Sequence, residues 1–411
     1  MITVKPFAAL RPTTEYVQEC AALPYDVMSS AEARIEVQAK PYSFLHIDKA
    51  EVDLDVSIDL YDEKVYEKAA ENLKKFEALG VYTQDKEKKF YFYREIMDGR
   101  AQTGIVGCAS IDDYLENRIK KHELTRADKE EDRIRHVDTC AAQTGPIFLA
   151  YRKSETLDNI IVRETKKAPL YDFISDDGVR HTVWESDSRE TSEEIEQAFL
   201  SLDCLYIADG HHRAASAVKA GLKRRAQARN ATGEEEYNYF LSVIFPSDSL
   251  KIMDYNRVLK DLNGMSEKEF LQAVEENLGR VTECDNVCRP AQLHSVGLFV
   301  GGKWYNVEFK KEICEAESPS ERLDCSILQR KFLAPIMGID DPRTSKRIDF
   351  VGGIRGLKYL EERCKNGGAA IAMYPTSLEE LMSVADAGEI MPPKSTWFEP
   401  KLRSGIFIHK I

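Results

Sequence analysis

The run from Cys204 to Gly221, Cys-Leu-Tyr-Ile-Ala-Asp-Gly-His-His-Arg-Ala-Ala-Ser-Ala-Val-Lys-Ala-Gly, constrains this chain more than any other stretch. An apolar segment of strand composition breaks into a polar turn and then into an alanine-rich helix, with Gly221 as its expected stop. A strand that feeds a helix through Asp209, Gly210, His211, His212 and Arg213 gathers free backbone N–H groups, the positive end of the helix and a guanidinium in one small volume. That volume suits a phosphate. Gly210 removes the side chain that would block close approach, and Arg213 can grip two oxygens at once. The plain alternative is that Asp209 caps the helix and the histidines sit on its exposed first turn. Capping alone does not account for two histidines and an arginine among small apolar neighbours. A zinc site is disfavoured, because adjacent histidines at a helix start point in different directions and the sequence offers no third ligand.

The chain around this motif is too long for one typical hydrophobic core, at 411 residues. We expect three parts: an N-terminal α/β extension over residues 1–110, a phosphate-binding α/β core over 111–260, and a C-terminal α/β domain over 261–411. No linker composition or repeat marks the borders. In the first part, Ile58, Tyr61, Val65, Ala69, Leu73 and Phe76 fall at helical steps with Gly80 as a stop, and Asp98-Gly99 sits between two β-rich runs as a hairpin turn. The middle part alternates short strands with charged helices. The last places helix candidates at Ser266 to Leu278, Arg322 to Leu333, Gly356 to Lys365 and Leu378 to Ala387.

Charge narrows the partners. Lys and Arg number 57 against 70 Asp and Glu, a net of −13, which repels phosphate backbones and anionic lipid. Nucleic acid is disfavoured as a main partner. No apolar stretch reaches membrane-spanning length and no leader pattern is evident at the start, so a soluble cytoplasmic protein without a membrane partner is expected. The odd, scattered set of 9 cysteines fits reduced thiols. Cys284 and Cys288, near His294, lack the spacing and the second ligand pair of a zinc site.

Two further clusters carry chemistry. In Lys120-Lys121-His122-Glu123-Leu124-Thr125, a carboxylate lies between bases and a hydroxyl and can act as a general base if it faces a cleft; an exposed helix face is the competing reading. Near the end, Pro392-Pro393-Lys394-Ser395-Thr396 stiffens a loop bearing positive charge and hydroxyl donors, with Lys401 and Arg403 following, which suits a phosphorylated ligand or a packed interdomain loop equally. Pro24-Tyr25-Asp26-Val27 reads as a turn before a Ser-capped helix. Arg343, Lys346 and Arg347 read as solvated basic residues.

Taken in order, His122-Glu123, Asp209-Gly210-His211-His212-Arg213 and Pro393-Lys394-Ser395-Thr396 resemble the motifs of the free-serine kinases of the ParB/sulfiredoxin-like superfamily. The chain as a whole resembles the prokaryotic domain-of-unknown-function 1015 family. The first resemblance implies an α/β (α+β) fold with a ParB/sulfiredoxin-like nucleotide-binding core. It implies a kinase that passes a phosphoryl group from ATP or ADP, with Mg²⁺, to a hydroxyl, most readily that of free L-serine. On this resemblance Glu123 is the catalytic base, and Asp209 is catalytic and a metal ligand. Gly210, His211, His212, Arg213, Lys394, Ser395 and Thr396 hold phosphates, while His122 and Thr125 face the acceptor. This chain carries Trp397-Phe398 where those kinases carry Arg-His, and a long insert separates Glu123 from Asp209. Two other functions compete: a ParB-like nucleotide-switched regulatory protein, and a phosphatase or nuclease using His211 or His212.

Overall fold

Asp98 and Gly99 both adopt positive φ, 52° and 76°, the two-residue turn whose twist matches the strands it joins. Tyr91–Met97 therefore folds back antiparallel on Arg100–Ser110, as the sequence predicts. The computed structural model describes residues 1–186 and 188–411. It forms two compact units, Met1–Leu250 with Pro400–Ile411, and Lys251–Glu399.

The hairpin lies inside the nine-stranded sheet of the first unit. The strands run in the order Ile119–Lys120, Leu205–Asp209, Ile147–Tyr151, Tyr239–Pro246, Arg100–Ser110, Tyr91–Met97, Arg180–Glu185 and Tyr171–Ile174, with Val4–Lys5 added beside Arg100–Ser110. The sheet is mixed: Leu205–Asp209 runs parallel to Ile119–Lys120, and Tyr239–Pro246 parallel to Ile147–Tyr151, while the other pairs are antiparallel. It draws strands from both sides of residue 110. Tyr239–Pro246 is buried along its whole length, which its apolar run, broken only by Ser242, anticipates for a strand covered on both faces. Leu149, Ile207, Phe240 and Ile244 meet in the core over this sheet, fully buried, each stabilising the fold by on the order of 2 kcal/mol.

Three helices frame the site. Glu63–Ala78 begins later than the apolar spacing predicts, because Asp62 caps it by accepting the Lys64 N–H, which leaves Ile58 and Tyr61 in the preceding turns. Ala127–Cys140 packs beside His211–Gln227, tied by Lys223 Nζ to Asp138 Oδ2 at 2.5 Å and by the Ser216 hydroxyl donating to the Glu130 carbonyl at 3.1 Å. The last of these helices does not stop at Gly221 as expected; it continues to Gln227. A Cβ at Gly221 would lie 2.3 Å from the Tyr237 carbonyl oxygen, so this glycine permits a close crossing of backbone rather than ending a helix. The C-terminal segment then closes the unit. Ser404 pairs with Ala22, Ile408 with Leu10 and His409 with Gln143, and Ile406, Phe407 and Ile408 are fully buried.

The second unit is built on a six-stranded antiparallel sheet, in the order Gly279–Cys284, Lys303–Phe309, Ser295–Val300, Ala369–Met373, Tyr255–Leu259, Ile348–Gly352. Ser266 and Ser377 each start a helix through a reciprocal bond with a glutamate three residues on, a pairing written in the sequence as Ser-x-x-Glu. The predicted helix over Arg322 to Leu333 is instead a short α-helix, Asp324–Leu328, that widens to π geometry over Gln329–Leu333. Among the described residues, no helix is long and apolar enough to cross a membrane.

Candidate functional site

The site begins where the strand Leu205–Asp209 ends. Gly210 turns the chain with φ +92°, and its missing Cβ makes room for the Arg213 guanidinium, whose Nε would lie 3.1 Å from that atom. Any other residue here would be strained and would crowd Arg213. The first residue of the following helix, His211, turns its ring inward and is 5% exposed.

Asp209 is held by two partners. Its Oδ1 accepts the Gly210 N–H at 2.9 Å and its Oδ2 accepts from Lys401 Nζ at 3.1 Å. Burial alone would push this carboxyl up, but the charges of Lys401 and Arg213, with these hydrogen bonds, hold it well below the usual carboxylate range.

The loop between Ile119–Lys120 and the helix Ala127–Cys140 lies against the same helix start. The His122 backbone N–H donates to His211 Nε2 at 3.4 Å, and the two imidazoles meet edge to face with centroids 4.4 Å apart. With Nε2 accepting, the proton of a neutral His211 is assigned to Nδ1, which sits 3.8 Å from Glu123 Oε2. The Glu123 side chain is 41% exposed and that of His211 only 4%, so the carboxylate forms the open edge of a buried cluster. Burial drives His211 well below the ordinary imidazole range, with His122 pushing the same way and Asp209 opposing.

His122 is 2% exposed and neither of its ring nitrogens has a hydrogen-bond partner among the described residues. Burial lowers it to about 4, against partial offsets from the Asp209 charge and from the backbone at Ile207. Buried polar atoms in this condition are rare and call for an explanation at a functional site. His212 faces the other way, with its Nε2 accepting the Arg126 N–H at 3.1 Å. Thr125 donates its hydroxyl to Glu130, which also takes Lys219. Arg213 donates from Nη1 to the Pro146 carbonyl at 2.6 Å, leaving Nε buried without a partner.

Seven sequence-predicted residues therefore share one neighbourhood in the first unit: His122, Glu123, Asp209, Gly210, His211, His212 and Arg213. Thr125 lies beside them through Glu130. Lys394, Ser395 and Thr396 lie in the second unit. There Lys394 is exposed with φ +60°, and the buried Ser395 hydroxyl donates to the Pro392 carbonyl at 2.6 Å. The Ser395 carbonyl accepts from Thr376 Oγ1 at 3.1 Å, so the Ser395 hydroxyl and carbonyl both serve to hold that loop, and Thr396 is half-buried.

Sequence reasoning read Lys401 only as loose positive charge and missed its pairing with Asp209, which spans 192 residues. It also missed the environment of Tyr25. The Pro24–Val27 turn forms as expected, with Val27 N–H donating to the Pro24 carbonyl, but Tyr25 carries the Arg133 guanidinium 4.1 Å above its ring.

A Mg²⁺ carried by nucleotide phosphates needs only one or two protein carboxylates, and Asp209 is the carboxylate at this turn. Among the described residues no three His, Cys, Asp or Glu side chains converge on one point, and both Asp209 oxygens are engaged. The arrangement is a cationic and N–H-rich grip with an exposed carboxylate at its edge, which can bind an anion and take a proton beside it.

A family model for a protein of unknown function (DUF1015) matches residues 4–326. No curated protein matches the sequence. Among solved structures, the chain is similar to a free serine kinase in complex with AMP, at 16% identity and a TM-score of 0.38, over 73% of this chain and 90% of that one. It is also similar to a conserved hypothetical protein from Pyrococcus furiosus, at 16% identity and a TM-score of 0.35, over 73% and 93%. A third is SbnI with a C-terminal truncation from Staphylococcus aureus, at 12% identity and a TM-score of 0.38, over 73% and 85%.

Proposed function

We propose that this chain, which belongs to the DUF1015 family, is a phosphotransferase that moves a phosphoryl group from ATP or ADP to the hydroxyl of a small compound, L-serine foremost. In this reading the first unit, Met1–Leu250 with Pro400–Ile411, carries a ParB/sulfiredoxin-like core, and the expected borders near residues 110 and 260 give way to this division. The observation that carries it is the meeting of Glu123 with His211, at 3.8 Å, at the start of the helix that follows Gly210 and carries Arg213.

Glu123 takes the proton of the acceptor hydroxyl as its oxygen attacks the terminal phosphorus of the donor, and the nucleotide leaves on the far side. The Nδ1–H of His211 orients the Glu123 carboxylate. The backbone at Gly210, with His211, His212 and Arg213, holds the donor phosphates, while Asp209, fixed by Lys401, sets the direction of the turn and of the acceptor. His122 and Thr125 wall the acceptor, and Lys394, Ser395 and Thr396 are the second unit's phosphate-binding candidates. Phosphoryl transfer asks for this kind of positioning and charge neutralisation more than for covalent chemistry. Any Mg²⁺ enters with the nucleotide as part of the substrate.

A phosphatase or nuclease with a histidine nucleophile has less support, because His211 and His212 each commit Nε2 to a main-chain N–H. The test is purified protein with Mg²⁺ and ATP or ADP against a panel of hydroxy amino acids. Nucleotide consumption that depends on the acceptor supports the reading. No turnover with any of them, or phosphate release that ignores the acceptor, refutes it.

A further inference from the structure

Beside Arg213 the first unit contains a small cavity of about 30 Å³, room for two waters or one carboxylate group. Its polar wall is made by Tyr25, Asp48, Arg133, Thr144, Gly145 and Arg213. The sequence scatters these residues over five segments, and the motif reading assigns only Arg213.

The wall has hydrogen-bonding capacity left over. Arg133 bonds Asp132 through Nε at 2.9 Å and stacks on Tyr25, and among the described residues its two terminal nitrogens have no hydrogen-bond partner. Arg213 reaches Pro146 through Nη1 and leaves Nε unmatched. His136, also in the wall, donates from Nε2 to the Ile47 carbonyl at 3.0 Å and is kept neutral by burial and by the Arg133 charge. Asp48 is the one carboxylate of the wall, with Oδ1 taken by the Thr144 hydroxyl at 2.7 Å. Arg133 is already paired with Asp132, so the lining is not short of negative charge; what it leaves open is hydrogen-bonding capacity, with the buried Arg213 Nε unmatched. A buried donor in that condition is costly unless an acceptor joins it.

We propose that this cavity binds the carboxylate of a short α-amino or α-hydroxy acid. Arg133 presents the terminal nitrogens of its guanidinium to the two oxygens, and Asp48 offers an acceptor to the neighbouring ammonium or hydroxyl. A phosphate dianion fits less well, since it would meet Asp48 with twice the negative charge in a space sized for a planar group. The inference rests on the phosphotransferase reading and sharpens it, because the acceptor then carries its carboxylate into this cavity.

Calorimetric titration of the full chain with L-serine, D-glycerate, ethanolamine and inorganic phosphate tests it, with nucleotide binding measured on the same samples. The two carboxylates are expected to bind at least tenfold more tightly than ethanolamine and phosphate. Arg133→Lys, which keeps a charge beside Asp132, should weaken the carboxylates tenfold or more, and Gly145→Ala, whose methyl at the cavity wall would sit 3.2 Å from Ser404 Oγ, should weaken them to a smaller extent. Arg133→Lys should leave nucleotide affinity within about twofold. Equal binding of serine and ethanolamine, tighter binding of phosphate, or carboxylate affinity unmoved in both variants would overturn the proposal. Carboxylate binding without any phosphoryl transfer would uphold the cavity and remove the kinase reading.

Discussion

At the scale of single residues, Glu123 and His122 divide chemistry from stability. Glu123 sits at an open edge, so Glu123→Gln should leave the melting temperature within a degree or two and lower acceptor-dependent turnover by about 100-fold or more, the range of a lost general base. His122 is the reverse case, a fully buried ring with unmatched nitrogens. Replacing such a group with an apolar one of similar shape removes a desolvation cost of about 1–3 kcal/mol. We expect His122→Phe to be more stable at pH 7 by about 1 kcal/mol, and less active, as read by urea denaturation and turnover on one preparation.

The same residue fixes a pH dependence. His122 is lowered to about 4 from an ordinary 6.5, so between those values the unfolded chain binds the proton and the folded one does not. Stability therefore falls as pH drops from about 6.5 to about 4, by at most on the order of 3 kcal/mol from this group. His211, also lowered, pulls the same way. In His122→Phe the slope over this window should be shallower than in the wild type, and parallel curves would count against a buried neutral imidazole.

At the scale of elements, the strand, turn and helix around Asp209 were legible because each has a local cause: an apolar run, a glycine at positive φ, an alanine-rich helix. The hairpin at Asp98-Gly99 was legible for the same reason. Gly221 was misread because its cause is not local. It lies mid-helix, where propensity alone makes Gly221→Ala stabilising by about 1 kcal/mol. The Tyr237 carbonyl 2.3 Å from the new Cβ makes it overpacked instead, at a cost of about 1–3 kcal/mol. Thermal unfolding of this variant should therefore show a lower midpoint, and a raised one would mean that the Tyr237 segment does not cross the helix there. Thr125 likewise looked like a free hydroxyl in the sequence, whereas its bond to Glu130 is set by how the helices Ala127–Cys140 and His211–Gln227 lie together.

For the molecule as a whole, the long-range ties were the illegible part. Lys401 meets Asp209, and the segment after it is stitched to Leu10, Ala22 and Gln143, contacts that no pattern within a window of sequence encodes. Deleting residues 402–411 removes fully buried Ile406, Phe407 and Ile408. At about 2 kcal/mol each, their loss takes up most of a typical stability margin of about 5–15 kcal/mol. Expression of that truncation should give aggregated or protease-sensitive protein; a cooperative unfolding transition near that of the full chain would contradict the role given to this segment.

The most direct trial of the central claim follows phosphorus itself. ³¹P NMR of the full chain incubated with Mg²⁺, ATP or ADP, and L-serine should show a phosphomonoester resonance growing as the donor signal declines, and Glu123→Gln should abolish that growth while still binding nucleotide. An ester that forms equally fast in the variant, or donor loss that yields only inorganic phosphate, would contradict a Glu123 base at the Asp209–Arg213 turn.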